Sequence, residues 1–391
     1  MIPEAGGLLQ RFASMRDAEV FEFHQHDIEP TGDGFIIGFG VTLGVQGAFE
    51  KTHIYINTSS DAAVDDQSVR LQRPGGTDTI VWEYPADPSL PALTAMSFPE
   101  AAGQTLAKFG IEAKGATLTL EAYRPGKRAV FRIDTDGGRF FAKLVHPKLA
   151  ASIDARHHAF LAAGMTVPVS LGYSDSGLLL LDRLPGESAV AHVRSIGGDP
   201  RFLQSLDALA ARIAAVPVQE RARASLAARV GWYGARMREQ APMFAAAADA
   251  LIPVIEAQYR ASPPASAVTI HGDMHLGQIF VDPAEPWRIT GVLDIDTAGL
   301  GEQADDGGAL YGHVCVSAAE ARAAGDEASG ASFTALAAAI RQRFLAPRVR
   351  AIAATHLLGH ALASGSRATE RGQQVASWLL ADARSLTSMT G

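Results

Sequence analysis

Alternation of apolar and polar positions dominates the first third of the chain. It predicts strands over residues 20–26, 35–45, 53–57, 68–71 and 79–84, with turns at Thr31-Gly32-Asp33-Gly34 and Pro74-Gly75-Gly76. A proline-rich connector over residues 85–91 closes this region, and Pro99 sits at the first turn of a helix that opens after Ser97-Phe98. Alternation resumes over 117–123, 129–133 and 139–145, with turns at Arg124-Pro125-Gly126-Lys127-Arg128 and Asp136-Gly137-Gly138. A helix over 150–163, stopped by Gly164, and strands over 167–171 and 177–181 follow. Beyond Gly186 the apolar period lengthens to three and four residues. That change predicts helices over 202–216, 222–239, 241–259, 308–325, 333–344, 349–362 and 373–387. The pattern therefore divides the chain into a β-rich cap (1–92), a strand-rich lobe (93–185) and a helical lobe (186–391), an α+β organisation.

Composition narrows the field. With 391 residues, 47% of them hydrophobic and 19% charged, the chain can bury more than one core and reads as soluble and globular. A net charge of −8 disfavours a nucleic-acid partner. The single cysteine, Cys315, excludes an internal disulfide, and its apolar helical surroundings suit a buried spectator thiol. No apolar run reaches the length of a membrane span, and Met1–Gly7 lacks a basic segment followed by an apolar one. A cytoplasmic protein with no membrane partner is expected.

Within the helical lobe, two short apolar strands are bracketed by carboxylates: Thr269-Ile270-His271-Gly272-Asp273-Met274-His275-Leu276-Gly277-Gln278-Ile279-Phe280-Val281 and Gly291-Val292-Leu293-Asp294-Ile295-Asp296. Asp273 and Asp294 are twenty-one residues apart, so a hairpin can bring them to one place. Phosphoryl transfer needs such a pair, one carboxylate to hold the acceptor hydroxyl and take its proton, another to hold Mg²⁺ against the phosphates. A metal hydrolase stays open, because His271, Asp273 and His275 alternate and offer zinc ligands. That class needs further histidines downstream, whereas Asp294 and Asp296 bring only hard oxygens, which favour magnesium and little bound zinc.

The His-x-Asp pattern, the amide Gln278 five residues on, and the strand-end Asp294 resemble the aminoglycoside phosphotransferase and choline kinase superfamily. The resemblance implies a bilobal kinase-like fold, a small-molecule kinase, ATP and Mg²⁺. It makes Asp273 the catalytic base and Gln278 and Asp294 the metal ligands, with Asp296 sharing the metal or capping a turn. His271 then braces the loop, and Asp306 is structural. Lys143, in Phe140-Phe141-Ala142-Lys143-Leu144, matches the lysine that contacts nucleotide phosphates, and Asp154 stands where the family places its orienting glutamate, with His157 one turn on as the alternative. The turn holding Gly126 and Lys127 occupies the place of the phosphate loop, without its G-x-G-x-x-G pattern, and is read equally well as a solvated basic tip. Asp182 and Leu184 resemble the hinge that hydrogen-bonds adenine. The Leu-Gly-Gln variant is similar to maltokinases and bacterial glucosamine kinases, which implies a sugar, aminosugar or aminoglycoside acceptor. Choline or another amino alcohol is the alternative acceptor, and a non-catalytic pseudokinase the alternative class. Acceptor specificity is expected from residues 302–311 and 356–367.

Overall fold

A computed structural model describes residues 4–45, 47–73, 78–112, 115–367 and 369–388. It divides into two units, 1–155 with 169–183, and 156–168 with 184–391. The cap and the strand-rich lobe, expected as separate segments, thus share the first unit. The turn expected at Pro74-Gly75-Gly76 lies outside the described residues.

The first unit opens with α1 (Ala5–Ser14), a helix that the sequence pattern did not announce because Gly6-Gly7 interrupts its polar face. Leu8, Leu9 and Phe12 recur at helical spacing and are all buried. They pack on Ile37, Phe39, Val41, Ile54 and Ile56 of one sheet face, each contributing about 1.5–3 kcal/mol by leaving water. That sheet consists of β1 (Ala18–Pro30), β2 (Phe35–Val45), β3 (Ala48–Asn57), β4 (Val69–Leu71) and β5 (Thr79–Glu83). It is antiparallel, with order β1-β2-β3-β5-β4. Its other face carries Tyr55 and Trp82, stacked with ring centroids 5.7 Å apart.

After α2 (Ala92–Ser97) and α3 (Pro99–Ala107) comes a second antiparallel sheet. Its early strands are β6 (Thr117–Arg124), β7 (Arg128–Thr135) and β8 (Gly138–Val145). The helix α4 (Pro147–Ala162) follows, then β9 (Ser170–Tyr173) and β10 (Leu178–Asp182), in the order β6-β7-β8-β10-β9. One face buries Phe131, Ala142, Leu144 and Leu180 beneath Leu93, Met96 and Leu106 of α2 and α3. The opposite face joins Val145, Leu179 and Leu181 to Ala150 and Ile153 of α4.

The second unit contains β11 (Glu187–Ser188), α5 (Val193–Ile196), α6 (Pro200–Ala214), α7 (Val230–Gln240) and α8 (Ala245–Ala261). Short strands β12 (Val268–Ile270), β13 (Ile279–Val281), β14 (Ile289–Val292) and β15 (Gly299–Gly301) frame the segment that holds His271, Asp273, Gln278 and Asp294. The chain then runs through α9 (Gln303–Ala323), α10 (Glu327–Phe344), α11 (Pro347–Gly365) and α12 (Glu370–Thr387). No helix among the described residues is long and apolar enough to cross a membrane. Cys315 is buried on α9, and burial pushes its thiol up to about 12, consistent with an inert packing role.

The helix expected over 222–239 begins only at a 3₁₀ turn, Leu226–Arg229. Upstream, Ala222 N–H donates to Leu300 O and Leu300 N–H to Glu220 O, at 3.0 and 2.8 Å. These pairs beside β15 satisfy the backbone in extended form and override the helical preference of the alanines.

Candidate active site

The segment that holds Asp273 and Asp294 is built on two strand pairs, β12 with β15 and β13 with β14. Between β12 and β13 the chain makes a tight loop held by one buried carboxylate. Asp306, in the first turn of α9, accepts from His271 N–H at 2.7 Å and Gly272 N–H at 2.8 Å. Burial raises the Asp306 pKa, and the two amides and His271 oppose that rise. His271 donates Nε2–H to Leu293 O at 2.8 Å, tying the loop to the end of β14. Gly272 has φ +85°, and a Cβ there would stand 2.5 Å from Thr297 O, so glycine is required. His271 therefore does the bracing that the resemblance implied, and Asp306 shares it.

Asp273 follows Gly272, with its side chain 35% exposed. Its carboxylate lies 3.8 Å from Arg223 Nη1 and 4.0 Å from His313 Nε2. Neither neighbour belonged to the sequence expectation. Arg223 was hidden inside the helix expected over 222–239, and His313 lies forty residues further on, without a motif. A cleft at this point is lined by Arg223, Ser225, Asp273, Asp305 and His356. Burial pushes Asp305 up to about 6, against the opposing effect of Ser225.

Gln278 closes the loop. It is buried, and Leu293 N–H donates to its backbone carbonyl at 2.8 Å. Its amide nitrogen reaches Asp294 Oδ2 at 3.4 Å, at the edge of hydrogen-bonding range, while its Oε1 is buried without a partner. Asp294 takes the left-handed conformation, φ 56°, at the entrance to the turn Ile295–Thr297 that carries Asp296. Asp296 O accepts from Arg156 at 2.9 Å. The nitrogen faces the carboxylate here, and with the amide turned over Gln278 Oε1 and Asp294 would offer the oxygen donors that suit Mg²⁺.

The nucleotide residues expected from the sequence lie mainly in the first unit. Lys143 is buried and pairs in register with Val130 and Leu179, on the sheet face that α4 covers. Asp154 on α4 accepts from Ser170 Oγ at 2.6 Å. Asp182 is exposed at the end of β10, and its carboxylate accepts from Arg183 N–H at 2.6 Å. Leu184 is buried in the second unit.

Gly126 and Lys127 differ from their expected phosphate role. Gly126 N–H donates to Asp87 at 2.7 Å, and Lys127 pairs with Glu29, which also takes two bonds from Arg124 at 2.8 and 3.0 Å. Both carboxylates come from the cap, so the turn is a docking surface for it. Asp87 is almost fully buried and also accepts from the Tyr123 hydroxyl at 2.9 Å.

The zinc ligands weighed from the sequence do not converge. His271 is turned to Leu293 O, and His275 Nδ1 accepts from Gly277 N–H at 3.1 Å. Three other histidines do meet: His313 on α9 with His356 and His360 on α11. Burial first, then the neighbouring imidazoles, lowers His313 to about 2; burial, then His360, lowers His356 to about 3. Burial also lowers His360.

Residues 120–339, more than half of the chain, match the model of APH, the phosphotransferase enzyme family. The chain belongs to this family. It is, by family, a small-molecule kinase. No curated protein matches the sequence. Among solved structures, a thermostable mutant of aminoglycoside phosphotransferase APH(4)-Ia in its apo form aligns at a TM-score of 0.50 and 16% identity, covering 72% of this chain and 97% of that one. A mutant of the same enzyme in ternary complex with ADP and hygromycin B gives 0.52 and 14%, covering 74% and 100%. Another, with AMP-PNP and hygromycin B, gives 0.51 and 15%, covering 73% and 98%. At such identities the likeness is one of fold, and the kinase-like α+β architecture expected from the sequence is the one found.

Proposed function

We propose that this phosphotransferase is ATP- and Mg²⁺-dependent and phosphorylates a hydroxyl of a sugar, aminosugar or aminoglycoside. The observation that carries the reading is the buried Gln278 beside Asp294, its amide oxygen without a partner and its amide nitrogen 3.4 Å from the carboxylate, five residues from a partly exposed Asp273. Gln278 and Asp294 would hold the ion, with Asp296 on the adjoining turn. Mg²⁺ bound there would neutralise charge on the phosphates. Lys143 contributes a cation to the nucleotide phosphates, and Asp154 orients it.

Asp273 positions the acceptor hydroxyl and takes its proton as the oxygen attacks. Arg223, 3.8 Å from that carboxylate, brings a guanidinium to the point where the phosphoryl group arrives. Arg223, Ser225 and Asp305 line the small cleft beside Asp273 and bring polar groups next to the acceptor position. The hygromycin B complexes of a protein with this fold supply a precedent for an aminoglycoside acceptor.

The test is ATP turnover across a panel of sugars, aminosugars, aminoglycosides and choline, with Asp273→Asn alongside. Loss of the base should lower turnover on the best acceptor by roughly two to four powers of ten and leave ATP affinity nearly unchanged. Wild-type turnover in Asp273→Asn would overturn the assignment. ATP binding with no turnover on any acceptor would make the chain a pseudokinase.

A further inference from the structure

We propose that His313, His356 and His360 form a transition-metal site, for Zn²⁺ by donor chemistry, whose open coordination position faces Asp273. The ligand nitrogens of the three side chains lie within 4.8 Å of one another. Ring centroids are 4.7 Å apart for His313 and His360 and 6.1 Å for His313 and His356. A tetrahedral ion with bonds of about 2.0–2.1 Å needs its nitrogens roughly 3.4 Å apart, so modest rotation of the rings closes the site.

The backbone prearranges the cluster. His356 and His360 are four residues apart and share one face of α11. On α9, Gly308 and Gly312 let the two helices approach closely: a Cβ on Gly312 would stand 2.7 Å from His356 Cβ, and one on Gly308 2.6 Å from Ile352. That approach brings His313 onto the α11 histidines.

Hydrogen bonding offers no other reason for the arrangement. Among the described residues, no hydrogen bond holds a ring nitrogen of His313, His356 or His360. Three imidazoles whose ring nitrogens converge, none of them engaged in a hydrogen bond, are a ready set of ligand atoms. Imidazole binds metal in its neutral form. Three neutral imidazoles suit Zn²⁺ rather than Mg²⁺, and a three-histidine set leaves the fourth position open. On that side stand Asp273, 4.0 Å from His313 Nε2, and His275, whose ring centroid is 4.8 Å from that of His313. The Asp273 carboxylate favours a cation there, while Arg223 opposes it. The metal site does not rest on the kinase reading above.

Equilibrium dialysis against Zn²⁺ with elemental analysis tests the site, and Co²⁺ substitution reads its geometry. The expected result is one ion per chain, a tetrahedral Co²⁺ spectrum, and affinity weakened on the order of 100-fold or more in His356→Ala and His360→Ala. His360→Cys should keep the ion and add a thiolate-to-Co²⁺ charge-transfer band, which a merely structural histidine would not produce. A cap variant, His26→Ala with His53→Ala, should retain the full equivalent. Absence of a bound equivalent, an octahedral spectrum, a His360→Cys protein without the new band, or loss of the ion in the cap variant would each overturn the site. Phosphoryl transfer is scored separately: a zinc-binding protein that phosphorylates nothing refutes the kinase reading alone, and an active kinase that binds no zinc refutes the metal site alone.

Discussion

Replacing Gln278 by methionine separates what this residue does for the resting protein from what it does for a bound ion. Its Oε1 is buried without a partner, a state that costs about 1–3 kcal/mol. Its Nε2 contact with Asp294 is 3.4 Å long and returns no more than about 1 kcal/mol. Methionine has a similar length and volume and buries no polar atom. Gln278→Met should therefore stabilise the metal-free protein by about 1–2 kcal/mol, which is a rise of a few degrees in melting temperature for a unit of this size.

Bound Mg·ATP should reverse the order. At about 100 times its Kd a ligand stabilises the folded state by about 2.7 kcal/mol, and the variant loses most of that gain along with the ion's amide ligand. Gln278→Asn should fall between, because its amide oxygen withdraws by one methylene and Mg²⁺ tolerates little geometric error. Thermal melts of the three proteins, first in chelator and then in saturating Mg·ATP, provide the comparison. A variant less stable than wild type in chelator, or one with an undiminished Mg·ATP shift, would refute the argument that the orphaned oxygen is held for a metal.

Two further outcomes follow from buried carboxylates elsewhere. Asp306→Asn places an amide NH₂ against a backbone N–H, so it should cost about 2–4 kcal/mol in urea unfolding and lower kcat at least tenfold by loosening the Asp273 loop; wild-type values in both assays would show that the loop is held otherwise. Glu29→Gln should loosen the cap by about 1–3 kcal/mol, since it leaves Arg124 and Lys127 facing a neutral group. Burial pushes the Glu29 pKa up, but Arg124 and Lys127 outweigh it and hold the carboxyl below its usual value of 4.5, so its contribution is present above that pH and lost as pH falls through the lowered value. Acid unfolding followed by near-ultraviolet circular dichroism should be flatter in Glu29→Gln, and an unchanged profile would remove Glu29 from the acid response.

Local pattern and distant contact contributed unequally to what the sequence made legible. The strands of both sheets in the first unit were readable, because alternation is a property of five to eight consecutive residues. The bracing by His271 was implied by the family resemblance, which gave Asp306 only a structural role and did not say that it would hold the Asp273 loop. Arg223 was not. Alanine-rich composition suggested a helix there, and the extended pairing with residues 297–301 that defeats it is non-local. The histidine trio was half legible: the four-residue spacing of His356 and His360 lies in the segment expected to set acceptor specificity. His313 joins them only through the glycine-mediated approach of α9 to α11.

The turn at Arg124–Arg128 shows why a family position need not keep a family role. A phosphate loop works by leaving backbone N–H groups and a cation turned outward for an anion. Here Gly126 N–H and the two basic side chains already hold anions, the Asp87 and Glu29 carboxylates, donated from 39 and 95 or more residues earlier in the chain. A phosphate entering at that point would have to displace two carboxylates that are largely buried and would then lack partners. The cap thus converts an anion-binding turn into its own anchor. Under the kinase reading the cation that this lobe keeps for the nucleotide phosphates is Lys143. Under the same reading, the β-rich cap would decide which cations the strand-rich lobe has left to offer, because Glu29 and Asp87 already engage those of the turn.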